Sequence, residues 1–310
     1  MKLLYLNHDG NIDDLVSLLL LLQAPNIRLI GVGVIGADSY VTPASLASRK
    51  IISHLSSYNN LQVAISNSRG VRQFPKEWRL TAYSFNDLPI LNEDDNLGQR
   101  AKSPAHLDLI KKIKQAPKKV TLVMTGPLTD LARALSLSPE ISKKIEKLYW
   151  MGGSMNGQGN VEEPGSDGTV EWNAFWDPLA VKKVFDAPID IEIVSLDSTK
   201  QVPLTNQLRK HWAKLRKYPV LDLIGQGYAL VHSFGPNAQY FLWDVLTALT
   251  SAYPDLVKVK KIKSNIKTVG ENSGRTFLSN YGRYLNMVTD VSSRNFFQKI
   301  DYLGKINSFY

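Results

Sequence analysis

Three observations predict an α/β protein built on a central, mostly parallel sheet flanked by helices. Short apolar stretches of strand length alternate with helical stretches from residue 3 to residue 196, the signature of strands joined by crossover helices. The run 27–35 is apolar apart from Arg28 and small glycines, as suits a strand covered on both faces. The turns that follow the strand candidates are rich in Asp and Gly, and ligands of open α/β sheets bind at the carboxyl ends of strands.

The elements follow in order. Strands are expected at 3–6, 27–35, 61–65, 120–124, 148–151 and 189–196. Helices are expected at 13–23, stopped by Pro25, at 43–57 with Thr42 as N-cap and Pro43 first, and at 105–115 and 127–135. Another is expected at 177–185, with Pro178 at its first position. Residues 66–103 are polar and irregular, and a connection of that length inside a compact domain is usually functional or disordered. Helices are expected within 204–252 and at 296–306. A hairpin is expected over 258–278, turning at Gly270-Glu271-Asn272-Ser273-Gly274. No repeat or low-complexity segment interrupts the chain, so residues 1–310 are expected to form one domain.

Composition narrows the function classes. The 310 residues are 44% hydrophobic and 21% charged, ordinary for a globular protein with a sizeable core. Cysteine is absent, which excludes disulfides, thiolate metal sites and cysteine nucleophiles and agrees with a cytoplasmic setting. The apolar run 15–22 is too short to span a bilayer and follows acidic residues rather than basic ones, so neither a membrane segment nor a signal peptide is expected. The net charge of +9 is spread over lysines with little aromatic interleaving. It is read as a solvated surface rather than a nucleic-acid site.

Four turns carry the chemistry: Asn7-His8-Asp9-Gly10-Asn11-Ile12-Asp13-Asp14, Gly36-Ala37-Asp38, Thr125-Gly126-Pro127 and Gly152-Gly153. Asp9, Asp13 and Asp14 repel one another unless something positive neutralises them. A hard divalent cation such as Ca2+, held by six to eight oxygens, would do so. The same carboxylates also suit a turn and a helix N-terminus, and these residues alone leave the two readings balanced. The glycine-rich Gly157-Gln158-Gly159 lacks the Gly-Lys-Ser/Thr ending of a phosphate loop. His8, His54, His106, His211 and His232 form no catalytic set with a serine or cysteine.

The ordered set of motifs resembles the nucleoside hydrolase family, most of all its purine-preferring (inosine-adenosine-guanosine) branch. The acidic turn from Leu6 to Asp14 is similar to that family's N-terminal aspartate motif. Phe74-Pro75-Lys76-Glu77-Trp78-Arg79 is similar to the branch's aromatic loop, and Thr125-Gly126-Pro127-Leu128 to its central turn. Met151-Gly152-Gly153 and Asp167-Gly168-Thr169-Val170-Glu171-Trp172-Asn173 are similar to its ribose-binding stretch. Ser195-Leu196-Asp197-Ser198-Thr199 and Trp243-Asp244-Val245-Leu246-Thr247 complete the set.

The resemblance implies hydrolysis of purine ribonucleosides to free base and ribose by a Ca2+-activated water. It implies Ca2+ ligands at Asp9, Asp14, the Thr125 carbonyl and Asp244. Asp9 would be the general base, in a catalytic set with Asn11, Trp78 and Trp243. Asn11, Asp13, Asn160, Glu171 and Asn173 would hold the ribose, with Met151 nearby. Asp38, Trp78 and Trp243 would face the purine, with Tyr240 on the neighbouring loop. A homo-oligomer, dimer or tetramer, is expected.

Two departures stand out. The family usually has aspartate where this chain has Asn7, which keeps the shape and loses a charge. The purine branch carries an arginine before its last aspartate, absent from 233–237 here. The alternatives are a broad or pyrimidine-preferring hydrolase and a non-catalytic nucleoside-binding protein. Trp243 weighs against the pyrimidine reading, since pyrimidine-acting relatives typically have histidine there.

Overall fold

The computed structural model describes residues 1–58, 60–164, 166–231 and 239–306. The 233–237 stretch without arginine, and His232, lie outside the described residues. The first half of the chain contributes β1 (Lys2–His8), α1 (Ile12–Gln23), β2 (Ile27–Val34), α2 (Val41–Leu55), β3 (Gln62–Ile65), α3 (Thr81–Asn86), β4 (Gln99–Arg100), α4 (Ala105–Gln115), β5 (Val120–Met124), α5 (Thr129–Leu137) and β6 (Ile145–Met151). There follow α6 (Trp172–Trp176), α7 (Pro178–Asp186), β7 (Ile191–Val194), α8 (Leu196–Thr199), α9 (Asn206–Ala213), α10 (Pro219–Ala229), α11 (Trp243–Ala252), β8 (Val257–Ile266), β9 (Thr276–Leu278), β10 (Arg283–Val291) and α12 (Ser293–Ile306).

The strands form one ten-stranded sheet in the order β4-β3-β2-β1-β5-β6-β7-β10-β8-β9. The seven strands from β4 to β7 are parallel, and β10 joins parallel to β7. Only β8 runs against its neighbours β10 and β9. The chain winds outward from β1 to β4 and then returns to place β5 against the other side of β1. The strand order therefore reverses between β1 and β5, and the crevice at their carboxyl ends is the binding position of such sheets.

Two apolar cores cover the sheet. One lies under α1, α2, α10, α11 and α12, the other under α4, α5 and α7. All of α1 is buried, because α2, α10, α11 and α12 surround it, which explains why 15–22 is apolar all round apart from Ser17, whose hydroxyl donates to Asp13 O. Among the described residues no helix is long and apolar enough to cross a membrane.

Several expectations are refined. The hairpin forms as β8 and β9, with Gly270, Asn272 and Gly274 all at positive φ in the turn. β10 was not expected from the sequence: its half-exposed face carries Tyr284, Asn286 and Asp290, which mask strand periodicity. It wedges between β7 and β8. The second helix starts at Val41 rather than Pro43, because Ala44 N–H already reaches the Tyr40 carbonyl at 3.2 Å. Asp177 caps α7 by accepting from Ala180 N–H at 3.0 Å, with Pro178 behind it as expected.

The irregular 66–103 stretch is tied to the far end of the chain. Val71 and Arg72 N–H donate to Trp176 O at 3.0 and 3.3 Å. The Arg72 guanidinium lies 4.2 Å from the Phe175 ring and donates to Ser273 Oγ at 2.5 Å. Gly70 has no alternative there, since a Cβ would stand 2.3 Å from the Trp176 ring.

The β8–β9 hairpin also grips the turn after β6. Ser154 N–H donates to Thr276 Oγ1 at 2.9 Å, and that hydroxyl donates back to Ser154 O at 3.1 Å. Thr276 is buried, so Thr276→Val would leave a buried N–H without an acceptor. The expected loss is about 1–3 kcal/mol, read as a lower urea midpoint at unchanged m-value; an unchanged midpoint would refute the clamp.

Candidate active site

The acidic turn is shaped by the helix it precedes. Asn11 caps α1, and its own N–H donates to Asp14 Oδ2 at 2.9 Å, giving a reciprocal capping box. The helix-terminus reading of these carboxylates is therefore true of Asp14. Its other oxygen accepts from Thr125 Oγ1 at 2.6 Å, joining the first turn of α1 to the end of β5. Asp13 points to the opposite side. Its oxygens accept from Tyr240 OH at 2.8 Å and from Asp244 N–H at 3.1 Å, which brings the first turn of α11 against that of α1. Gly10 allows the turn between Asp9 and Asn11, having a φ of 87° and no room for a Cβ, which would stand 2.2 Å from Ala44 Cβ.

Asp9 and Asp38 meet across β1 and β2. Asp38 N–H donates to Asp9 Oδ2 at 3.2 Å, and Asn11 Nδ2 donates to Asp38 Oδ2 at 2.5 Å. The Asp38 Oδ1 is buried and has no hydrogen-bond partner among the described residues. Arg79 donates to Ala37 O at 3.0 Å and to Gly36 O at 3.3 Å, anchoring the loop that carries Trp78 to the end of β2.

The turns after β5 and β6 supply the next wall. Asn173 Nδ2 donates to Thr125 O at 3.0 Å and to Met151 O at 3.2 Å. Its Oδ1 is buried and has no partner among the described residues. Glu171 caps α6 by accepting from Asn173 N–H at 2.8 Å and Ala174 N–H at 3.1 Å, and it also takes Gly153 N–H at 2.8 Å. Asn160 Oδ1 accepts from Trp172 N–H at 3.2 Å.

These groups surround a cleft of about 550 Å³. Asp9, Asn11, Asp13, Asp38, Trp78, Thr125, Met151, Asn160, Glu171, Asn173, Tyr240, Trp243 and Asp244 all line it. Of the candidate residues only Asp14 stands behind the wall. The sequence reading did not single out Phe74, Glu77, Trp172, Leu230, Val231 or Gln239, which also line the cleft. Phe74 sits inside the aromatic loop motif and Trp172 inside the ribose-binding stretch, a signal available in the sequence. Their rings lie 4.9 Å apart, and Trp172 meets Trp78 edge-on at 5.5 Å. Leu230 and Val231 follow the end of α10, Gln239 lies on the approach to α11, and none of the three carries a chemical pattern.

Asp9, Asp13, Asp14 and Asp244 are each no more than 7% exposed. Burial, then the charge of Asp14, pushes Asp13 up to about 7. Burial raises Asp38 to about 7 against the hydrogen bond from Asn11. Burial and neighbouring carboxylates push Asp9 and Asp244 well above the usual carboxylate range. Among the described residues no three acidic or histidine side chains stand in the arrangement of a formed metal site. The donor set nonetheless fits a hard divalent cation. Buried carboxylates and the Thr125 carbonyl offer oxygen donors, and mutual repulsion among carboxylates is what such a charge relieves.

Comparison with known proteins gives a consistent result. Residues 4–298 match the family model described as inosine-uridine preferring nucleoside hydrolase. The crystal structure of an inosine-uridine preferring nucleoside hydrolase from Bacillus anthracis superposes with a TM-score of 0.95 at 50% identity, covering 99% of this chain and 100% of that one. A probable uridine nucleosidase 2 from Arabidopsis thaliana is 27% identical over 90% of this chain and 86% of its own. A non-specific ribonucleoside hydrolase from Escherichia fergusonii is 28% identical over 88% of this chain and 86% of its own.

The raised carboxylates set a sign for pH dependence. Asp13 and Asp38 hold protons more tightly folded than unfolded, so the stability they contribute is complete below about pH 4, the unfolded value. It is lost as pH rises through about 7. Chelator-treated protein is therefore expected to melt at a lower temperature at pH 8 than at pH 6. Saturating Ca2+ should shrink that difference, and a metal-free Tm that rises from pH 6 to 8 would refute this account.

Proposed function

We propose, from the premise that this chain belongs to the inosine-uridine preferring nucleoside hydrolase family, that it hydrolyses the N-glycosidic bond of ribonucleosides, preferring purines, with Ca2+ as its cation. One observation carries the reading: a single cleft joins a floor of buried carboxylates to a wall containing Trp78, Trp172 and Trp243. Cleaving the bond builds positive charge on the ribose, and a carboxylate-lined floor stabilises that charge. The aromatic wall offers ring faces to a flat base, and a base that gains a proton as it leaves would be held there by cation–π attraction.

In this reading Asp9, Asp14, Asp244 and the Thr125 carbonyl hold Ca2+. When bound, a divalent cation supplies a Lewis acid toward water and orients ribose hydroxyls. Asp9 takes the proton of the attacking water. Asn11, Asp13, Asn160, Glu171 and Asn173 hold the ribose, with Met151 beside it. Asn173 Oδ1, buried and without a partner among the described residues, is an acceptor awaiting a hydroxyl donor. Asp38 Oδ1, equally unpartnered, faces the base together with Trp78, Tyr240 and Trp243. The protein acts as a homo-oligomer, dimer or tetramer.

The relatives named as uridine and non-specific nucleosidases favour a second reading, a broad or pyrimidine-preferring hydrolase. Release of free base from inosine, adenosine, guanosine and uridine, with and without EDTA, separates the two. Chelator-sensitive cleavage with purines fastest supports the first. Equal or faster cleavage of uridine supports the second, and tight nucleoside binding with no base released would identify a non-catalytic binding protein.

Two substitutions test the roles. Asp9→Ala is expected to lower kcat by roughly 10²–10⁴-fold, the range of a lost general base. Trp78→Ala is expected to lower kcat/KM for inosine roughly tenfold more than for uridine, the scale of one lost aromatic contact with a charged ring. Equal losses on both substrates would overturn the stacking role.

A further inference from the structure

The end of β1 accounts for asparagine at position 7. Asn7 is fully buried, as is Asp130 in the first turn of α5. Asn7 Nδ2 donates to Asp130 Oδ2 at 3.1 Å. The other Asp130 oxygen accepts from Ser66 Oγ and Ser68 Oγ, each at 2.7 Å. A helix N-terminus also favours a negative charge at that position.

A carboxylate can only accept, so Asp130 requires a donor opposite it. Aspartate at position 7 would set two carboxylates at that separation, and its other oxygen would fare no better. Asn7 Oδ1 is buried with no partner among the described residues. The amide fits on the β2 side only because residue 33 is glycine, where a Cβ would stand 2.5 Å from Asn7 Nδ2. The pair is thus a matched amide and carboxylate in a closed space.

The main chain links this pair to the cleft. Asn7 O accepts from Thr125 N–H at 3.0 Å, and Asn7 lies opposite Met124 in the β1–β5 ladder. Asp9 follows two residues later.

We infer that Asn7 and Asp130 form one positioning pair. Their bond fixes the ends of β1 and β5 so that Asp9 and the Thr125 carbonyl face a common point, and Asp130 supplies the negative charge that residue 7 lacks. The inference rests on Asp9 and Thr125 being cation ligands.

The test is a reciprocal swap. In Asn7→Asp/Asp130→Asn, the new amide oxygen can take the Ser66 and Ser68 hydroxyls while its NH2 donates to the new carboxylate. Asn7→Asp and Asp130→Asn alone are each expected to lower kcat/KM and Ca2+ affinity roughly 10–100-fold, as loss of a group orienting a metal ligand does. Ca2+ affinity is read from the Ca2+-dependent rise in Tm. The double variant is expected to recover to within about threefold of the parent.

A merely structural role would lower Tm in the single variants and leave kcat/KM of the folded protein unchanged. That result, or a double variant no better than its worse single variant, would overturn the pair. If Asn7→Asp does not fold, recovery of the double variant above Asp130→Asn decides the question. A parent protein whose turnover and Tm ignore both Ca2+ and EDTA would overturn the cation reading instead, while rescue would still be read in kcat/KM.

Discussion

Like charges in a water-poor pocket raise one another's energy, and at the β1–β5 reversal the buried Asp9, Asp13 and Asp244 line the cleft with Asp38 beside them and the buried Asp14 behind the wall. The chain offsets this with fixed dipoles. Asp13 and Asp14 stand in the first turn of α1 and Asp244 in the first turn of α11, so two helix N-termini face the cluster. Main-chain N–H groups of Asn11, Asp38 and Asp244 and hydroxyls of Thr125 and Tyr240 supply the hydrogen bonds. The buried α1, the docking of α11 and the β1–β5 register together bring these carboxylates to one place.

The cleft is built from two kinds of structure. Its carboxylate floor comes from strand ends and helix starts inside the two cores, elements rigid enough to hold a ligand geometry. Its aromatic side comes from the 66–103 stretch and the approach to α11, held from outside. Arg79 fastens the Trp78 loop to the end of β2, and Arg72 fastens the start of the same stretch to Phe175 and to the hairpin turn at Ser273. The hairpin also holds Ser154 through Thr276, next to the Gly153 N–H that Glu171 accepts. An antiparallel addition at the edge of the sheet thus steadies the wall on which Asn160, Glu171 and Asn173 stand.

Much of this was legible in the sequence for local reasons. Parallel strands buried on both faces must be apolar, so β1, β2, β5 and β6 could be read directly, and Asp and Gly at their ends marked the edge that carries the cleft. The motifs brought Asp9, Asn11, Thr125, Glu171, Asn173 and Asp244 into one set because each sits on a strand end or helix start. Residues without such local marks escaped: β10, whose polar face hides its period, and Leu230, Val231 and Gln239, which reach the cleft only through the placement of α10 and α11.

The sequence by itself determined the fold class, the edge where the cleft opens and the chemical character of the floor, because these follow from hydrophobic period and from residue type at turns. Only the tertiary structure decided what each carboxylate faces. Asp14 is turned to Asn11 and Thr125, Asp13 to Tyr240 and Asp244, and Asn7 to a partner 123 positions away. Hydrogen bonds of that range depend on strand order and crossover, which no local pattern encodes. An asparagine that looks like a missing charge in one dimension therefore proves to stand against a carboxylate in three.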